Sequence, residues 1–163
     1  MCIRDSSNIH DPDLLSIVNS ANVACGYHAG DEETMHQVVD ISKKNGVSIG
    51  AHPSFNDPEN FGRKRMNLSS SEIRKLIIDQ YEILQNIALK YNQSVTHIKP
   101  HGALNNMACE DLDLANIIAK TINEINEWKR IKNVFIKIDN DMTVAQRHQS
   151  SALLNYNMIY LLL

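Results

Sequence analysis

The chain has 163 residues, 43% of them hydrophobic, with 16 basic and 19 acidic side chains interspersed to a formal net charge of -3. That is enough apolar sequence for one domain with a core, and it excludes a disordered chain. Lacking a basic face or a long apolar run, it gives no footprint for nucleic acid or a membrane. Three cysteines, Cys2, Cys25 and Cys109, stand far apart and in no paired spacing. They fit a reduced, cytoplasmic setting.

The first ten residues join no periodic pattern and are expected to be a leader outside the fold. Asp11 to Val18 reads as a short helix, with Pro12 at its first position and Leu14, Leu15 and Val18 on one face. Ala21 to Cys25 is small and apolar, as a strand buried on both faces should be. It runs into Gly26-Tyr-His-Ala-Gly-Asp31, a turn with His28 and Asp31 between glycines. Asp31 is placed either to cap the next helix or to reach a substrate. The helix that follows carries Met35, Val38 and Val39 and should stop at Gly46.

Val47 to Ala51 reads as a second strand, ending at His52. A long aperiodic loop, Pro53 to Met66, closes with Arg63-Lys-Arg65, suited to a carboxylate or phosphate or simply solvated. Ser69-x-x-Glu72 is a capping box opening a helix with Ile73, Leu76, Ile77, Leu84, Ile87, Ala88 and Tyr91 on one face. Val95 to Lys99 is the third strand, followed by Pro100-His-Gly-Ala-Leu104. A helix over Asp111 to Trp128 and a fourth strand over Asn133 to Ile138 complete the alternation. Residues 11–140 are thus one α/β domain and 141–163 a poorly matched tail.

Strands that alternate with helices lie parallel, so His28, His52 and His101 should leave the same carboxyl edge of one sheet. That edge is where α/β proteins bind ligands. Neither phosphate-loop nor dinucleotide glycine spacing occurs, and Cys25 reads as core rather than as a nucleophile.

Asn22-Val-Ala-Cys-Gly-Tyr-His-Ala-Gly-Asp31, Gly50-Ala-His-Pro-Ser54, Phe61-Gly-Arg63 and Lys99-Pro-His-Gly-Ala-Leu104 together resemble the LamB/YcsF family, the A subunits of 5-oxoprolinase. The resemblance covers roughly Asp11 to Trp128. It implies an incomplete (β/α) barrel-like fold with parallel strands, related to the glycoside hydrolase and deacetylase barrels. It also implies ATP-dependent opening of 5-oxo-L-proline to L-glutamate together with two other subunits, ATP being bound with those partners. The implied site is His28, Asp31, His52, Lys99 and His101 as catalytic residues, with Asn22 and Arg63 binding the small-molecule substrate. Departures include Asn105 where the family has a tyrosine, Lys64 for a second arginine, Asn60 for a glycine, and no acidic opening strand. The chain therefore reads as the middle of a longer protein.

Two other readings stay open. One is a metal-dependent amidohydrolase or deacetylase, with His28, Asp31, His52 and His101 around a divalent ion. The other is a non-catalytic or truncated binding piece. Lactam opening needs a polarised carbonyl, a base for water and a proton for the leaving nitrogen, and histidines suit the proton transfers.

Overall fold

In the computed structural model, residues 11–129 are described. The leader 1–10, the fourth strand expected over 133–138 and the tail 141–163 lie outside them. The described elements alternate along the chain. Helix α1 (Asp11–Leu15) precedes strand β1 (Ser20–Ala24), helix α2 (Glu32–Asn45), strand β2 (Ser48–His52), helix α3 (Ser70–Lys90) and strand β3 (Val95–Ile98). Two further helices follow, α4 (Gly102–Ala108) and α5 (Leu112–Lys129). Strands β1, β2 and β3 pair in that order, both pairs parallel. The result is a barrel-like α/β fold with parallel strands, an open arc rather than a closed barrel among the described residues.

Local signals set the helix ends. Asp31 Oδ1 accepts from Thr34 N at 2.7 Å at the start of α2, and Gly46 ends it at φ 70°. Both halves of the capping box form on α3: Ser69 Oγ accepts from Glu72 N, and Glu72 Oε2 accepts from Ser69 N at 2.7 Å. Its apolar stripe, Ile73, Leu76, Ile77, Leu84, Ile87 and Ala88, is buried as the period requires. Helix α1 is shorter than expected, stopping at Leu15. Val18 reaches the core from the turn that follows.

Alternation along the strands separates two faces of the sheet. Ala21, Val23, Ile49, Ala51 and Ile98 are buried in the apolar core that α2, α3 and α5 also feed. The opposite face is polar: it carries Asn22, His52, His97 and Lys99 beside Gly50. A sheet with helices on one side thus presents its chemistry on the other. No described helix is long and apolar enough to cross a membrane.

Candidate functional site

Three histidines from three strand-to-helix connections meet at the carboxyl edge of the sheet. His28 lies past β1, His52 ends β2, and His101 immediately precedes α4. The His28 and His101 rings stack with centroids 4.1 Å apart, and His52 lies edge-on to His101 at 4.8 Å and to His28 at 5.7 Å. All three are buried. The Phe61 ring closes the cluster edge-on to both His28 and His101, at 5.3 and 5.2 Å.

The hydrogen-bond partners fix where the protons sit. A carbonyl oxygen only accepts, so His52 Nδ1, 2.5 Å from Lys99 O, carries a proton, as does His101 Nε2, 2.9 Å from Phe61 O. His52 Nε2 and His101 Nδ1 then face each other at 3.0 Å. One further proton between them makes a good hydrogen bond, whereas a neutral pair sets two lone pairs in opposition. The frame favours that extra proton and burial opposes it. Burial, then the neighbouring His101, holds the His52 pKa well below the ordinary histidine value. Burial also lowers His101, with its bond to Phe61 acting the other way.

His28 is held differently. Ser54 Oγ donates to Phe55 O at 2.8 Å, which leaves Oγ to accept from His28 Nδ1 at 2.7 Å. The proton is therefore on Nδ1. Nε2 is bare, buried and without a hydrogen-bond partner among the described residues. Burial, followed by the nearby His101, pushes the His28 pKa down to about 3, so its neutral form prevails at physiological pH.

Ser54 is itself clamped from α3. Gln80 Oε1 accepts from Ser54 N at 3.0 Å and Gln80 Nε2 donates to Ser54 O at 2.8 Å. The sequence alone points to a role for neither Ser54 nor Gln80. Gln80 does leave a readable signal, a polar residue three and four positions from Ile77 and Leu84 within an apolar stripe.

The loop over residues 53–66 is packed down onto the histidines by Asp57. Its carboxylate accepts from Asn60 Nδ2 at 2.7 Å and from Lys64 N at 3.0 Å, while its carbonyl accepts from Gly62 N at 2.8 Å. Phe61 and Gly62 take φ values of 56° and 67°, in the left-handed region. At Gly62 a Cβ would lie 2.9 Å from His28 Cβ and 3.1 Å from His101 Cδ2, so the close approach of the loop requires glycine.

Of the other expected site residues, Asn22 is buried on the polar sheet face and Lys99 is half-buried on it. Burial lowers the Lys99 amine to about 8. Arg63 is exposed beside the cluster, its guanidinium 5.8 Å from the Phe61 ring centroid. Asp31 is not brought to the histidines by any hydrogen bond: it is exposed and serves as the N-cap of α2. Cys25 is fully packed, its thiol raised to about 12 by burial, in keeping with a core role.

Among the described residues no group of three or more His, Cys, Asp or Glu side chains is arranged to hold a metal ion. Both nitrogens of His52 and of His101 are engaged with each other or with carbonyls. As arranged, these residues alone do not form a divalent-metal site.

The parallel α/β fold and the histidine cluster at its carboxyl edge define a class, the barrel-like α/β proteins with a polar site at the strand ends. Within that class the chain belongs to the LamB/YcsF family, whose sequence profile matches residues 5–154. It is 43% identical over 137 residues to the A subunit of 5-oxoprolinase from Nitrobacter hamburgensis, covering 83% of this chain and 52% of that protein. It is 40% identical over 116 residues to the A subunit of 5-oxoprolinase from Staphylococcus carnosus, covering 71% of this chain and 46% of the relative. The chain thus spans about half the length of the curated relatives it matches. The crystal structure of the lactam utilization protein from Thermus thermophilus superposes with a TM-score of 0.72 at 31% identity, over 94% of this chain and 58% of that one.

Proposed function

We propose that this chain forms part of the substrate site of an ATP-dependent 5-oxoprolinase, which opens 5-oxo-L-proline to L-glutamate in concert with two other subunits in the cytoplasm. The observation that carries this is the buried, bare Nε2 of His28 beside the coupled His52–His101 pair. Lactam hydrolysis needs a base and a proton donor together, and the cluster supplies both. The names of the relatives and of the similar structure give the substrate class its support.

ATP supplies, when bound, an activated carbonyl that is a better electrophile than an amide. The rest falls to this chain. His28 Nε2 takes a proton from the attacking water, its tautomer held by Ser54. That proton passes to the ring nitrogen as the carbon–nitrogen bond breaks, by way of the His52–His101 pair, whose facing nitrogens can hold it in transit, and the cluster returns to its neutral state. Lys99 supplies a cation beside the developing charge. Arg63 binds the substrate carboxylate or a phosphate, and Asn22 contacts the substrate.

The test is glutamate release from 5-oxoproline by the full-length protein with its partner subunits, ATP and magnesium. ATP-dependent turnover that His101→Ala largely abolishes, and an Arg63→Lys change that raises KM more than it lowers kcat, are expected. ATP-independent, metal-dependent amide hydrolysis would overturn the proposal in favour of the amidohydrolase reading.

A further inference from the structure

The polar face of the sheet carries a second row beneath the histidine cluster. Asn22, Gly50 and His97 are register partners across β1, β2 and β3. Gly50 stands two residues before His52 on the same strand, so the row lies roughly 6–7 Å below it on the same face.

His97 lies across the middle strand in the space that Gly50 leaves. A Cβ at residue 50 would fall 2.2 Å from His97 Nε2, 2.4 Å from Cδ2 and 2.6 Å from Cε1. Any side chain there would displace the ring. In this position Nε2 comes within 3.1 Å of Asn22 Oδ1 and 3.3 Å of Ser20 Oγ. The other ring nitrogen is anchored: Nδ1 accepts from the Thr96 hydroxyl at 2.8 Å, which leaves the ring proton on Nε2 to be donated to Asn22 Oδ1.

Asn22 is 1% exposed and His97 6% exposed. One end of the Asn22 carboxamide is thus braced by an anchored ring, while the buried Asn22 Nδ2 has no hydrogen-bond partner among the described residues. A buried amide nitrogen left unpaired is destabilising, and a ligand oxygen that accepts from it removes that cost on binding.

We propose that His97 is a positioning residue: seated over Gly50, it fixes the Asn22 carboxamide so that Nδ2 stays available to a carbonyl or carboxylate oxygen of the substrate. This rests on the reading of the neighbouring cluster as a lactam site. The placement makes a particular demand on residue 50, since the three atoms nearest a methyl group there all belong to the His97 ring.

The experiment measures 5-oxoproline binding to the full-length protein by calorimetry, alongside steady-state kinetics in the assembled complex. His97→Phe, which keeps the ring and loses the nitrogens, should raise Kd and KM about tenfold and leave kcat within about twofold. His97→Gln, which restores a polar end, should recover much of the affinity. Asn22→Ala should weaken binding similarly, and the Asn22→Ala/His97→Phe double variant no further, because the two act as one unit. Gly50→Ala should mimic His97→Phe, yet add nothing in a His97→Ala background. A matching melting temperature separates these effects from misfolding. Wild-type affinity in His97→Phe, or additive losses in the double variant, would overturn the positioning role alone. Absence of 5-oxoproline binding to the wild-type protein would instead overturn the substrate assignment, and this proposal with it.

Discussion

Ser54 Oγ lies 2.7 Å from His28 Nδ1 while donating to the carbonyl of Phe55, and this single contact decides which nitrogen of His28 is bare. In the proposed reaction, then, a serine sets the tautomer of the base without itself taking part in the proton transfer. Ser54→Ala in the full-length protein should remove the tautomer preference and lower kcat roughly 10- to 100-fold, the range of comparable outer-shell losses. KM should change little. Steady-state kinetics check this, and nitrogen NMR shifts of the His28 ring should show a mixture of tautomers where the parent shows one.

The depressed pKa of His28 makes a stability prediction. In the unfolded chain this ring takes up a proton near pH 6.5, whereas in the folded protein it resists until about 3. Between those values the unfolded state binds more protons, so stability falls as pH drops through that window and is fully present above it. His52 and His101, also lowered by burial, act in the same direction. Melting temperature should decline steadily from about pH 7 to about pH 4, and His28→Gln should flatten the slope. An unchanged slope in that variant would show that the ring is not the group responsible.

Two glycines that both take positive φ should respond very differently to alanine. Gly26 takes φ 85° with nothing within 4 Å of where a methyl group would sit, so Gly26→Ala should cost only the backbone term, about 1–2 kcal/mol. Gly62→Ala adds the approach of 2.9 Å to His28 Cβ and 3.1 Å to Ser54 Cβ, so it should cost more and also displace the base. Chemical denaturation of both variants gives the comparison, and only Gly62→Ala should depress kcat beyond its loss of stability.

Much of the architecture is legible in local chemistry. The capping box at Ser69, the stop at Gly46 and the apolar stripe of α3 are rules that act within a few residues, and the helices they predict are present. The strand ends differ by one residue: β1 and β2 begin and end one position from the expected bounds, because hydrogen bonding to a neighbour, not composition, sets where a strand stops. Helix α4 carries no such local signal and is not among the expected elements. Its N-cap, His101, makes no side-chain cap bond, and Gly102 at its first position takes φ 56°, so the segment resembles a turn when read alone.

Strand–helix alternation is enough to place three histidines after three parallel strands, because it fixes both the direction of the strands and the edge at which their ends emerge. What each histidine is depends instead on partners far away in the chain. Ser54 meets His28 across 26 residues, His52 meets His101 across 49, and His97 meets Asn22 across 75. Which nitrogen carries a proton depends on whether a carbonyl, a hydroxyl or another ring faces it, and that follows from how distant loops and strands are packed together. Asp31 is the contrary case: its type and place suit either a cap or a catalyst, and the hydrogen bond it makes, to Thr34 N three residues on, is a local one.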